Sequence, residues 1–213
     1  MASYTGIHVE HSDLETITSA IQQFESNIMN RKIRRIIPLE VDIQSIPSSK
    51  IGLFNRMFYI NPAVDSWTEV IPSCSAWNLT ELANYISAQL KCRCLVLGYQ
   101  TTVGQTYYHV SENGKARRTL WYTKGDPVHQ DIGERFDFER QYIEEQRKSL
   151  TADELEELDE MDDAVKETFF FPDCYRFAEG IGCKSFLGRP GEIISDGSKG
   201  ISIKSIPKWW FLG

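Results

Sequence analysis

The sequence predicts an α+β protein in which helices pack on a mainly antiparallel sheet, with a C-terminal helical and irregular segment. Three observations predict this class. Between Arg93 and Lys124, three strand-like segments are joined by two glycine-containing turns. Residues 12–28 and 78–90 place apolar side chains at helical spacing, as core-facing helices do. Helices that flank strands and a hairpin in this order are typical of a layered α+β arrangement.

The pair Asn113-Gly114 predicts a two-residue hairpin turn in the middle of this sheet. An Asn-Gly pair is the strongest short-range hairpin signal because both turn residues must adopt positive φ. A two-residue loop also fixes which residues lie opposite one another. It predicts the pairs Val110/Arg117, Tyr108/Thr119 and Thr106/Trp121 on one face, and His109/Arg118, Tyr107/Leu120 and Gln105/Tyr122 on the other. Aromatic residues on both faces favour a hairpin that is covered on both sides.

The other elements follow from local patterns. The helix over 12–28 begins with Ser12 as its cap and Glu15 three residues on. A further helix begins at Thr151, with Glu154 in the same arrangement. Further strands are predicted over 7–10, 33–46, 51–60, 67–71 and 201–206, and further helices over 136–148 and 172–180. We divide the chain into an α+β sheet domain, residues 1–130, and a segment, residues 131–213, whose acidic helix and aromatic tail pack on that domain.

Charge is concentrated in one part of the chain. The formal net charge of the 213 residues is −7, and residues 137–167 hold thirteen acidic and four basic residues. That segment therefore carries −9, and the remainder carries +2. Nucleic-acid binding depends on neutralising phosphates with lysine and arginine, so this balance argues against DNA or RNA as a partner.

Cysteine usage and hydropathy predict a cytoplasmic protein without a membrane span. Five cysteines are an odd number for a secreted disulfide framework. The N-terminus lacks the basic and apolar regions of a signal peptide, and no apolar run approaches the roughly 18 residues of a spanning helix.

No metal ion or other cofactor is expected. His8 and His11 straddle a strand end and a helix cap without a third ligand of suitable spacing. Cys92 and Cys94 lack the second Cys/His pair that a structural zinc site requires.

The predicted helix from Thr151 carries the most unusual surface of the chain. Glu156, Glu160, Asp163 and Glu167 form a carboxylate stripe at i, i+4, i+7 and i+11 spacing. One interpretation is a solvated helix face that only keeps the protein soluble. The other is a docking face for a basic protein partner, because complementary charge accelerates association.

A second set of candidate residues lies on and near the hairpin. Arg118 falls on the inward face of its strand, where an unpaired charge is very costly, so a carboxylate partner is expected from Glu134, Asp137 or Glu139. His109 and Arg118, which the predicted register places opposite each other, are the one pair that we would test as a general acid/base element. The pocket that this hypothesis requires lies between the sheet and the C-terminal segment. Its predicted lining includes His109, Arg118, Trp121 and Trp210.

The segment CLVLGYQTTVGQTYYHVSENGKARRTLWYT is preceded by WTEV and the helix NLTELANYISAQL, and is followed by Gly133 and Phe138-Glu139. This layout, with its "NG…R.L.Y" and "G…(W/F)E" pattern, resembles bacterial α+β proteins, many of them uncharacterised and some similar to polymorphic-toxin immunity proteins. The resemblance covers roughly residues 67–139 and supplies no catalytic residues. It implies a non-catalytic protein, immunity or antitoxin-like, whose acidic face occludes a basic toxin. The alternative is an enzyme or small-ligand-binding protein with a pocket near His109 and Arg118.

Overall fold

A computed structural model gives the fold, and it describes residues 3–28, 31–39, 55–72, 79–187 and 199–207. The strands are β1 Ser3–Val9, β2 Arg31–Leu39, β3 Asn55–Ile60, β4 Thr68–Pro72, β5 Arg93–Gln100, β6 Gln105–Glu112, β7 Lys115–Thr123, β8 Gln130–Ile132 and β9 Lys199–Pro207. The helices are α1 Leu14–Gln23, α2 Leu79–Leu90, α3 Asp137–Ser149, α4 Ala152–Asp159, α5 Asp163–Lys166, α6 Cys174–Ile181 and α7 Lys184–Leu187. A π-helical turn, Phe24–Ile28, follows α1, and a 3₁₀ turn, Glu167–Phe169, follows α5.

The described strands form one sheet in the order β2-β9-β3-β4-β1-β5-β6-β7-β8, and every neighbouring pair is antiparallel. The predicted α+β class with a mainly antiparallel sheet is confirmed. The C-terminal strand β9 lies between β2 and β3, and the predicted boundary between residues 130 and 131 falls inside β8. The division into two parts stays a prediction.

Each face of the sheet is covered by its own apolar core. On one face α1 and α2 pack against alternate residues of β1 and β5, among them Ile7 and Val96. On the other face α3, α4 and α6 cover residues such as Leu97 and Leu120. The ring of Phe177 in α6 stacks on that of Tyr108 in β6, with 3.6 Å between the ring centroids. Alternate residues of the central strands therefore pack into two separate apolar cores, one on each face of the sheet. This is why the hairpin is covered on both sides.

The Asn113-Gly114 turn is confirmed, since both residues have positive φ, 50° and 80°. The predicted register holds only next to the turn, where Glu112 faces Lys115 and Ser111 faces Ala116. A β-bulge then shifts the pairing by one residue, so Val110 faces Arg118 rather than Arg117. The predicted pairs beyond Ser111 are therefore wrong.

Gly133 explains how the bulge is accommodated. Its φ is +84°, and a Cβ at this position would lie only 2.3 Å from the carbonyl oxygen of Arg117. The backbone after β8 can approach the bulged residue this closely only because position 133 has no side chain. Bulge and glycine together turn Arg117 outward and Arg118 into the interior.

Helix boundaries differ from expectation in two places. Asp13, and not Ser12, caps α1, because its side chain accepts a hydrogen bond from the amide of Glu15 at 3.0 Å. The predicted helix from Thr151 starts where expected, with the Thr151/Glu154 capping box, but α4 ends at Asp159. The side chain of Asp162 caps a new helix, α5, by accepting from the amide of Ala164 at 2.8 Å.

Asp162 competes with the continuing helix for backbone hydrogen bonds, and closely spaced carboxylates repel one another within a helix. These two effects break the predicted single rod into α4 and α5. Residues 40–54, which contain part of two predicted strands, and residue 78, the first residue of the second predicted helix, lie outside the described residues. Among the described helices, none is both long and apolar enough to cross a membrane.

Candidate functional site

The acidic stretch that contains α4 and the start of α5 is an exposed charged feature of the described chain. Residues 152–163 contain eight carboxylates and no basic side chain. We call Glu156, Glu160 and Asp163 the acidic surface; all three are exposed. Leu158 on the inner side of α4 is buried in the core that covers the second face of the sheet. The acidic surface is thus carried by a helix that is anchored to the protein body.

The carboxylates of the acidic surface are largely without counterions. Lys166, the nearest base in sequence, donates to Asp159 at 2.9 Å and lies 3.7 Å from Asp163. Glu156 and Glu160 make no ion pair with any residue that the structure describes. Their negative charge is therefore directed towards solvent and towards anything that docks there.

Two apolar side chains are exposed within the same acidic stretch. Leu155 is 43% exposed and Met161 is 39% exposed. In a continuous helix from Thr151, helical spacing would put both side chains on the inner side, together with Leu158. The break after Asp159 explains the difference for Met161, which lies in the turn between α4 and α5.

Glu167 does not belong to the acidic surface. It lies in the 3₁₀ turn after α5, where its carboxylate is 3.3 Å from Arg135 Nη2. The same Arg135 nitrogen donates to Asp131 at 3.1 Å, and Asp131 in turn accepts from Arg118. The predicted stripe on a single helix is therefore wrong, because α4 ends at Asp159 and Glu167 is part of an ion-pair network that reaches into the core.

Arg118 is confirmed as an inward-facing arginine with a carboxylate partner. Its side chain is completely buried, and its Nε donates to both oxygens of Glu139 at 3.2 Å. Glu139 also accepts from the hydroxyl of Tyr108 at 2.9 Å and from the amide of Phe136 at 2.9 Å. Asp131 was not anticipated as a second partner. Burial would raise the pKa of Asp131, but the guanidiniums of Arg118 and Arg135 outweigh this effect and lower it.

His109 lies on the opposite face of the sheet from Arg118. Its Nδ1 is 2.7 Å from Thr119 Oγ1, and its Nε2 is 3.0 Å from Ser111 Oγ and 3.1 Å from Asn84 Oδ1 in α2. Burial lowers the pKa of His109 to about 4. The predicted juxtaposition of His109 with Arg118 is wrong because the bulge shifts Arg118 by one position and so to the other face.

Of the two tryptophans that were predicted to line the pocket, the structure describes Trp121. Trp121 is 40% exposed, its ring centroid lies 4.8 Å from that of His129, and it lines a cavity of about 400 Å³ together with Tyr107 and Thr80. The hydroxyls of Tyr107 and Thr80 are 2.7 Å apart. Trp210 lies outside the described residues.

A buried polar cluster around His8 was missed by the sequence analysis. The Tyr4 hydroxyl donates to Glu69 at 2.6 Å, and His8 lies 2.8 Å from both the Tyr4 hydroxyl and the Ser185 hydroxyl. Because Tyr4 has already donated its proton, His8 Nε2 donates to Tyr4 and His8 Nδ1 accepts from Ser185. Asn61 donates to the second oxygen of Glu69.

This arrangement resembles a nucleophile next to a base, but it is closed to substrates. His8 is fully buried and Ser185 is 1% exposed. Burial lowers the pKa of His8 to about 3. The cluster joins α7 to β1 and β4 through satisfied hydrogen bonds. Strand alternation could have placed His8 on the face opposite Ile7 and Val9, but its partners come from distant segments.

Within the described residues, no group of three histidine, cysteine, aspartate or glutamate side chains is arranged to hold a metal ion. Comparison with curated proteins and with solved structures found no match. Residues 73–162, which include the hairpin, the Arg118–Glu139 pair and most of the acidic stretch, match the sequence profile of DUF6928, a family of unknown function.

Proposed function

We propose that this chain is a non-catalytic binding protein of the immunity or antitoxin type, and that it neutralises a basic protein partner through the acidic surface. The observation that carries the proposal is the exposure of Glu156, Glu160 and Asp163, of which Glu156 and Glu160 make no ion pair with any described residue. A concentrated negative potential attracts a basic surface and accelerates its association.

Leu155 and Met161 supply the apolar component that a stable interface needs. Protein interfaces combine a desolvated apolar centre with a polar or charged rim, and methionine is enriched in them. Here the two exposed apolar side chains lie among carboxylates, and this combination fits a basic partner that also presents an apolar patch.

The acidic stretch is held in place before any partner arrives. Leu158 is buried in the core, and the Lys166–Asp159 ion pair joins α4 to α5. The guanidinium of Arg147 in α3 lies 5.1 Å from the ring centroid of Phe170, which follows the 3₁₀ turn. A surface that is already ordered loses less conformational entropy on binding.

The experiment compares two charge-reversal variants of the whole chain in pull-downs from host cells. The first carries Glu156→Lys, Glu160→Lys and Asp163→Lys. The control carries Glu81→Lys, Asp126→Lys and Glu145→Lys, which are exposed positions on α2, on the turn after β7 and on α3. Both variants change the net charge by the same amount, so only the location of the change differs.

The expected result is a basic protein that the wild type and the control recover and that the first variant loses. Expression of this protein alone should slow growth of the host, and co-expression of the wild-type chain should restore it. Recovery of the same partners by all three proteins would overturn the proposal, as would equal loss from both variants.

The alternative, an enzyme or small-ligand-binding protein with a site at His109 and Arg118, has less support from the geometry. The two side chains lie on opposite faces of the sheet, and both are occupied by internal hydrogen bonds. A ligand could not contact both from one cavity.

A further inference from the structure

A second cavity, of about 410 Å³, opens between the ends of three strands and the helices that cover them. The ends of β5, β6 and β7 form one side, and α3 and the start of α6 form the other. Small-molecule sites in proteins have volumes of about 300 to 1,000 Å³ and combine apolar walls with a few polar groups. The size and position of this cavity therefore fit a small ligand.

Aromatic side chains form part of the cavity wall, among them Tyr99, Tyr142, Phe169, Phe171 and Tyr175. Flat aromatic walls favour a planar ring, which can stack on them or meet them edge to face. An aliphatic chain would gain the same burial of apolar area without this geometric preference.

Internal hydrogen bonds fix the shape of the cavity. The hydroxyl of Tyr122, in β7, donates to the carbonyl of Pro172 at 3.2 Å, and its ring lies 5.3 Å from that of Phe171. The amide of Gly125 donates to the hydroxyl of Thr168 at 3.1 Å. The end of β7 is thereby joined to the segment that leads into α6.

Lys124 supplies the positive charge of the cavity. Of the described residues that line it, Lys124 alone is a lysine, arginine or histidine. Its Nζ lies 5.2 Å from the ring centroid of Phe169, and its amide donates to the carbonyl of Gly104 at 3.2 Å. No carboxylate among the described residues forms an ion pair with it. The ammonium group is therefore available to an anion that enters the cavity.

The one carboxylate of the lining has another role. Asp173 caps α6, and its Oδ1 accepts from the amide of Arg176 at 2.8 Å. In contrast, the side-chain amides of Gln105 and Gln146 make no hydrogen bond to any residue that the structure describes. They remain to hydrogen-bond polar substituents of a ligand.

We propose that this cavity binds a small aromatic carboxylate, with its ring between the tyrosine and phenylalanine walls and its carboxylate paired with Lys124. This site is separate from the acidic surface and does not depend on the proposed partner. Binding of a small anion at one site and of a basic protein at another are independent properties of the chain.

The test uses three probes that share one ring and one chain length. These are 3-phenylpropionate, 3-phenylpropionamide and 3-phenylpropylamine, each titrated into the wild-type chain and followed by protein-observed NMR. Lys124→Gln is the diagnostic variant. Lys115→Gln, an exposed lysine at the other end of β7, is the matched control.

The wild type is expected to bind the carboxylate about fivefold more tightly than the amide, because a partly exposed ion pair contributes on that scale. The amine should bind most weakly. Lys124→Gln should reduce the affinity for the carboxylate to that for the amide, while Lys115→Gln should leave the preference unchanged.

Three results would overturn the proposal. The first is that 3-phenylpropionate does not saturate the protein at about 10 mM. A site built for an aromatic carboxylate should bind a fragment of this size more tightly than that. The second is a preference for the amide or the amine. The third is an unchanged preference in Lys124→Gln when the spectrum of that variant shows a native fold.

Discussion

Arg118 and Glu139 form an ion pair in which neither side chain reaches solvent, with Arg118 Nη2 3.1 Å from Glu139 Oε1. The pair joins the central hairpin to the first turn of α3. Glu139 also accepts hydrogen bonds from Tyr108 and Phe136, so one carboxylate satisfies three donors from separate parts of the fold. The packing of α3 on the sheet depends on this carboxylate.

Glu139→Gln should therefore destabilise the protein strongly. The change leaves the buried Arg118 guanidinium without its main counterion, and breaking one partner of a buried pair costs about 3 to 5 kcal/mol. The measurement is the free energy of unfolding from urea denaturation. Glu134→Gln is the control, because the Glu134 side chain is 79% exposed and lies 3.9 Å from Arg117. That variant should stay within about 0.5 kcal/mol of the wild type. Similar losses in both variants would contradict the role given to Glu139.

Gly133→Ala should destabilise the protein more than Gly125→Ala. Both glycines have positive φ, +84° and +88°, so alanine is strained at each by about 1 to 2 kcal/mol. At Gly125 the added Cβ meets nothing within 4 Å, whereas at Gly133 it meets the carbonyl oxygen of Arg117 at 2.3 Å. An additional cost of about 2 kcal/mol is expected at position 133, from the backbone shift that relieves the clash. Equal midpoints of denaturation in the two variants would mean that the close approach to the bulge is absent.

Stability should fall as the pH is lowered below about 6.5, partly because of His109. Its pKa is lowered to about 4 by burial, so between these values the unfolded chain binds a proton that the folded chain does not. The histidine then favours unfolding by up to about 1.4 kcal/mol per pH unit. His109→Gln removes this contribution and should flatten the dependence of unfolding free energy on pH between 6.5 and 4. Parallel curves for wild type and variant would contradict the neutral, buried state of His109.

Glu167→Lys should destabilise the chain although Glu156→Lys and Glu160→Lys do not. A lysine at position 167 places a second cation beside Arg135, whose guanidinium also bonds Asp131. A loss of about 1 to 2 kcal/mol is expected, against changes within about 0.5 kcal/mol at the two exposed positions. Thermal denaturation of the three single variants measures these differences in stability. If Glu167→Lys left the stability of the chain unchanged, Glu167 would have to be grouped with the exposed carboxylates of the acidic surface.

Local signals in the sequence were enough to predict the hairpin turn, the start of α4 and the buried partner of Arg118. Asn113-Gly114 gave the turn because few residue pairs accept two positive φ angles, and Thr151 with Glu154 gave the start of α4 through a capping box. The inward position of Arg118 on its strand predicted a buried carboxylate partner, and Glu139 is that partner.

Features that depend on distant segments were not predictable in this way. The bulge at Arg117 requires the backbone of Gly133 to pack against it, and no local pattern in β7 encodes that contact. The register, and with it the supposed pairing of His109 and Arg118, changed as a result. The break in the acidic helix depended on whether Asp162 caps a new helix or continues the old one, and helical spacing does not distinguish these. The cavity beside Lys124 is assembled from strand ends and helices far apart in sequence.

Hydrogen exchange tests the central claim most directly. The purified chain would be compared with and without the basic partner recovered in the pull-down, and amide exchange would be followed by mass spectrometry. Binding through the acidic surface predicts slower exchange in residues 152–163, with no comparable change in the hairpin over residues 105–123. Slower exchange elsewhere on the chain, with residues 152–163 unaffected, would contradict partner capture by this surface.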